Sequence, residues 1–102
     1  AFVDESEGYV VGEGGLLLET RDGGDTWARR SLGSASLRAV DARPGGIAVA
    51  VGDAGSAFGT TDSGITWHQI RNQDDRALFT VKLLGSFFGY AGGEGGALLR
   101  FG

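Results

Sequence analysis

The sequence predicts an all-β fold assembled from four-stranded antiparallel sheets of about 40 residues each, and three features predict it. The chain repeats itself. Trp27 and Trp67 lie 40 residues apart, Val11-Gly12-Glu13 matches Val51-Gly52-Asp53, and a third copy opens at Gly93-Glu94-Gly95-Gly96, which follows Gly12-Glu13-Gly14-Gly15 at an offset of 81. Glycine supplies 20 of the 102 residues, well above a usual share of roughly 7%. No segment carries an apolar stripe at the helical period, so helix-pair repeats of similar length are set aside.

The middle copy is complete and places the strands. Leu37 to Asp41 is the first, Ile47 to Gly52 the second, Ser56 to Thr60 the third and Thr66 to Ile70 the fourth. Ile47-Ala48-Val49-Ala50-Val51 is continuously apolar and small, which suits a strand buried on both faces. Gly45-Gly46, Gly55 and Gly64 fall at the joints, where tight turns need them. A unit of this size is one propeller blade.

Three blades are expected: the first over about 1–33, the second over about 34–73, and an incomplete third over about 74–102, or about two and a half in all. Ala1-Phe2-Val3 aligns with Lys82-Leu83-Leu84 as the end of an inner strand, and the chain stops at Arg100-Phe101-Gly102 before a third hairpin. The absence of methionine leads us to expect a chain processed, re-engineered or cut from something longer. Propellers close on themselves to protect their strand edges. Closure here therefore calls for missing sequence or for other copies of the chain, a dimer being favoured.

Composition narrows the partners. Thirteen acidic residues against nine basic ones give a net charge of −4, which argues against a nucleic-acid binder with its basic stripe. With 41% hydrophobic and 22% charged residues the chain is of the folding, soluble kind. Cysteine is absent, so disulfides and thiolate chemistry are excluded and the compartment stays unknown. No apolar run approaches the roughly 18 residues of a membrane span, and no cofactor or metal motif is found.

Thr20-Arg21-Asp22-Gly23-Gly24-Asp25-Thr26-Trp27 and Thr60-Thr61-Asp62-Ser63-Gly64-Ile65-Thr66-Trp67 both read S/T-x-D-x-G-x-T-W. A short carboxylate at Asp22 or Asp62 can accept hydrogen bonds from its own turn. Gly24 and Gly64 would supply a left-handed residue, Thr26 and Thr66 would start the outgoing strand, and Trp27 and Trp67 would bury a large ring. The pattern resembles the Asp-box of sialidase-type and related propellers. The Gly-Tyr-x-x-Gly segments Gly8 to Gly12 and Gly89 to Gly93 make the chain most similar to the photosystem II stability and assembly factor type. The box itself reads as a device of the fold.

Three further sets are candidates for binding. Glu13, Asp53 and Glu94 recur after the second strand of each unit and would line one rim, opposite the Asp-box hairpins. There they could meet a cation, a sugar hydroxyl or an arginine-rich partner, or simply cap their turns. Arg38 and Lys82 align roughly on inner strands and would flank the central channel, where they could bind an acidic segment of a partner or pair with Asp41 or neighbouring carboxylates. His68 follows Trp67 on an outer strand and points away from it into solvent.

Sialidases with Asp-boxes use an arginine triad, a tyrosine nucleophile with a glutamate, and an aspartate acid; no arginine or tyrosine here falls in a motif that matches those roles. No catalytic residue is assigned. The expected function is a non-enzymatic binding or assembly module whose partners are other copies of itself and another protein or a carbohydrate. The alternatives are a piece of an Asp-box glycosidase whose catalytic residues lie elsewhere, or a minimal propeller subunit without a ligand.

Overall fold

The computed structural model describes residues 7–70, 75–85 and 88–101. Three antiparallel sheets follow one another along the chain. The first holds β1 (Gly8–Val11), β2 (Leu16–Thr20) and β3 (Ala28–Ser31). The second holds β4 (Leu37–Arg43), β5 (Ile47–Gly52), β6 (Ala57–Thr60) and β7 (His68–Gln69), in that spatial order. The third holds β8 (Leu78–Gly85), β9 (Phe88–Gly93) and β10 (Leu98–Phe101). No α-helix occurs among the described residues. The alignment of Ala1-Phe2-Val3 and the expected boundary after residue 73 lie outside them.

The three sheets pack face to face as propeller blades. β5 sits at the centre with both faces covered, because its residues alternate between two cores. Ala48 and Ala50 join Tyr9, Leu17, Leu32 and Leu37 between the first and second blades. Val49 and Val51 join Leu78, Leu83, Ala91 and Leu99 between the second and third. Side chains so buried each contribute about 1.5–3 kcal/mol for a Val or Leu, so the stacking of blades, not any single sheet, holds the structure.

The fourth strand of the second blade is shorter than the sequence suggests. It covers only His68–Gln69, because the amide and hydroxyl of Thr66 are turned to Asp62 and leave the ladder. The third strand begins one residue later than expected, at Ala57.

A β-bulge shapes both complete inner strands. Leu37 faces Gly52 and Ala39 faces Val51, leaving Arg38 as the additional residue. Leu78 faces Gly93 and Thr80 faces Gly92, leaving Phe79 in the same place. Gly52 permits this approach: a Cβ there would lie 2.1 Å from the Ser36 carbonyl oxygen, and one at Gly93 would lie 2.0 Å from that of Ala77. The recurrence of Gly52 and Gly93 in the repeat is thus a steric demand of the bulge.

Candidate binding surface

The two Asp-boxes carry the same bonds. In the first, Asp22 Oδ1 accepts from the Thr20 hydroxyl at 2.8 Å and from the Thr26 amide at 2.9 Å, and Oδ2 accepts from the Thr26 hydroxyl. In the second, Asp62 Oδ1 accepts from the Thr60 hydroxyl at 2.7 Å and the Thr66 amide at 2.9 Å, and Oδ2 from the Thr66 hydroxyl. The Thr20 and Thr60 hydroxyls in turn accept from the amides of Gly24 and Gly64, each at 3.0 Å. Gly24 and Gly64 adopt φ of 98° and 84°. The bonds from Thr26 and Thr66 hold both carboxyls down to about 2, since an ionised acceptor fits this cage and a protonated one does not.

The tryptophans of the two boxes differ. Trp67 stands edge-on to Tyr9 of the preceding blade, centroids 5.9 Å apart and planes at 87°, and its indole N–H donates to Glu19 Oε1 at 3.2 Å. Trp27 stays 37% exposed, and its N–H donates to the carbonyl of Gly24 at 3.0 Å. This ring is therefore less buried than the sequence led us to expect.

Glu13, Asp53 and Glu94 each open a 3₁₀ turn of three residues, Glu13–Gly15, Asp53–Gly55 and Glu94–Gly96. The middle residue of each turn is left-handed: Gly14 at φ 68°, Ala54 at 56° and Gly95 at 59°. None of the three turns is capped by a side chain. Asp53 instead receives the fork of Arg38, Nε to Oδ1 at 2.7 Å and Nη2 to Oδ2 at 3.1 Å. The pair lowers the Asp53 pKa and raises that of Arg38, to which the charge of Glu13 adds. On the same rim the Gly14 amide donates to Ser36 Oγ at 3.2 Å, and Arg76 Nη1 donates to the Gly95 carbonyl at 2.8 Å.

Arg38 and Lys82 are not equivalent in the folded repeat. Lys82 faces Tyr90 as Asp41 faces Val49, so Lys82 occupies the place of Asp41, while Arg38 occupies the bulge place of Phe79. Lys82 stands 44 residues after Arg38, whereas equivalent places in the second and third blades lie 41 apart. Of the carboxylates offered as its partners, Asp41 and its neighbours, Arg38 pairs with Asp53. Asp41 is used between blades: its Oδ2 accepts the Leu83 amide at 2.8 Å while Arg43 Nη1 donates to the Leu83 carbonyl at 3.3 Å. Lys82 and His68 are exposed.

Glu19 and Arg43 were not singled out by sequence reasoning, and Asp41 was named only as a pairing partner for Arg38 and Lys82. Glu19 had a signal, an acid following Leu16-Leu17-Leu18 in a strand, and it is only 9% exposed, with Arg30 Nε 3.6 Å from its Oε1. Among the described residues no group of three histidine or carboxylate side chains is placed to hold a metal ion.

The family model described as photosynthesis system II assembly factor YCF48 matches residues 1–41. A solved structure, YCF48 bound to D1 peptide, superimposes on 98% of this chain with a TM-score of 0.83 and 32% identity. The chain is thus similar to Asp-box propeller blades of the photosystem II assembly factor type. The photosystem II assembly lipoprotein Ycf48 of Prochlorococcus marinus is 56% identical over 32 residues, 31% of this chain and 9% of that protein. The stability/assembly factor HCF136 of Cyanidioschyzon merolae is 55% identical over 29 residues, 28% of this chain and 7% of that protein. The chain spans 34% of the solved YCF48 chain. No helix among the described residues is long and apolar enough to cross a membrane.

Proposed function

We propose that this chain is a non-enzymatic propeller module that binds an extended segment of another protein across the rim carrying Glu13, Arg38, Asp53 and Glu94. The observation that supports this is the likeness over 98% of the chain to the structure of YCF48 bound to D1 peptide. The Asp-box side belongs to the scaffold on this reading, since each box carboxylate already accepts three bonds from its own hairpin. On the rim the Arg38–Asp53 fork holds a guanidinium edge in place, with half of the Arg38 side chain in solvent, so it meets a partner without first being ordered. Lys82 adds a second cation on the channel side.

Titration of the full chain with a D1 peptide by calorimetry tests the reading. Saturable binding that weakens in Arg38→Ala and Glu13→Ala, with the melting temperature unchanged, supports it. Absence of binding, or turnover of a fluorogenic sialoside lost in Asp53→Ala, overturns it.

We also infer that copies of the chain associate through blade faces. The supporting observation is that Val10, Phe88, Tyr90 and Leu98 lie exposed on the two outer blade faces, at positions whose equivalents are buried between blades.

A further inference from the structure

The bulge place that Arg38 fills in the second blade is filled by an aromatic ring in the third. Phe79 stands 41 residues after Arg38, and Glu94 stands 41 residues after Asp53. The two places are built alike. Phe79 is the additional residue of its inner strand as Arg38 is of its own, and the amides of Asp53 and Glu94 donate to the carbonyls of Ser36 and Ala77, each at 2.9 Å. In the second blade the guanidinium and the carboxylate close on each other. In the third the acid is kept and the cation is replaced by a ring.

Phe79 is 48% exposed. Its strand neighbours Leu78, Val81 and Leu83 enter the core between the second and third blades, and Phe79 does not. Arg38 is equally open, with 51% of its side chain in solvent, although its blade has a neighbour on each side. Exposure therefore belongs to this place in the blade and not to an uncovered blade face. Glu94 is exposed as well, and its side chain is one methylene longer than that of Asp53. Arg76 reaches the same turn, but its Nη1 donates to the Gly95 carbonyl at 2.8 Å, and among the described residues no side chain is bonded to the Glu94 carboxylate.

A ring beside such a carboxylate suits a basic side chain in three ways. The ring face attracts the cation, the carboxylate accepts its N–H groups, and the apolar stem of an arginine or lysine covers the ring. We propose that, on the rim reading above, Phe79 and Glu94 form the seat for one arginine or lysine of the partner segment. That residue completes from outside the acid–cation pair that Arg38 and Asp53 complete within the chain, and it suits a net charge of −4. β4 and β8 are packed neighbours. Packed sheets lie about 10 Å apart and an extended chain advances about 3.3 Å per residue, so the basic residue falls about two to four positions from the group that meets Arg38.

Calorimetric titration of the full chain with the D1 peptide, and with the same peptide carrying Gln at each Arg and Lys, tests the seat. Binding of the unaltered peptide is expected to weaken about fivefold or more in Phe79→Arg, where a guanidinium of the chain itself closes on Glu94. It should weaken about threefold in Glu94→Gln and hardly change in Phe79→Tyr, which keeps the ring. The Gln-bearing peptide should bind more weakly to the unaltered chain and lose little more in Phe79→Arg, because both changes remove one contact. Circular dichroism reports whether each variant is folded, and the exposed Glu94 keeps the test valid if Phe79→Arg is not. Binding that Arg38→Ala weakens but Phe79→Arg and Glu94→Gln leave unchanged overturns the seat while the rim reading stands, as does equal binding of the two peptides. Absence of saturable binding overturns both.

Discussion

Trp67 donates its indole N–H to Glu19 across 3.2 Å, so the Asp-box of the second blade is tied to the first by a residue pair 48 positions apart. Glu19 is 9% exposed, which makes the bond costly to break. A buried acceptor left unmet costs about 1–3 kcal/mol. Arg30, 3.6 Å away, compensates the charge without reaching hydrogen-bond distance.

Trp67→Ala is expected to destabilise the chain by about 3 kcal/mol, more than Trp27→Ala, whose ring is 37% exposed. Glu19→Ala should cost about 1–2 kcal/mol, and the two losses should not add, because each removes the same bond. Urea unfolding of the two single variants and the double variant measures this; fully additive losses would show that the pair does not couple the blades.

Asp62→Ala removes an acceptor that three donors share. The melting temperature should fall further than in Asp25→Ala, a change in the exposed part of the other box. Thermal unfolding followed by circular dichroism gives the comparison, and equal melting temperatures would remove the Asp-box from the stabilising set.

The same carboxylates set an acid limit. Asp22 and Asp62 fall from an ordinary 3.8 to about 2 in the fold. Groups with a lowered folded pKa stabilise fully above the unfolded value and lose that contribution as pH falls through the folded one. Stability should therefore be level above about pH 5 and decline between about pH 4 and pH 2. Asp62→Asn should flatten part of that decline in a series of melts against pH; an undiminished slope would point to other groups.

Gly52→Ala places a Cβ within 2.1 Å of the Ser36 carbonyl oxygen, while at Gly12, the equivalent place in the first blade, the nearest atom among the described residues is Leu16 Cδ2 at 3.5 Å. The first substitution should destabilise by about 2 kcal/mol or more and the second by well under 1. Chemical denaturation of both variants checks the contrast; similar losses would mean that the bulge does not require the close approach.

The repeat made the blades legible. Ile47 to Val51 announced a strand covered on both faces because a continuous run of small apolar residues has no other use in a sheet, and its alternation between two cores follows from the period of two. The rim carboxylates were legible as a set by their recurrence at 13, 53 and 94. What the sequence did not disclose were contacts set by one-residue geometry. Arg38 reaches Asp53 because a bulge re-aims it, and a bulge has no side-chain signature beyond its glycine. Asp41 and Glu19 serve the next blade, and such partners lie more than 40 residues away, where no local pattern points.

The proposed division of labour has the Asp-boxes and blade faces build the structure and the rim of Glu13, Arg38, Asp53 and Glu94 meet a protein partner. Calorimetric titration of the full chain with the peptide probe proposed above, run beside Arg38→Ala and a melting curve for each protein, tests that division most directly. The account predicts saturable binding that weakens in the variant while the melting temperature holds. Binding unchanged in Arg38→Ala but abolished by Asp62→Ala at an unchanged melting temperature would contradict it.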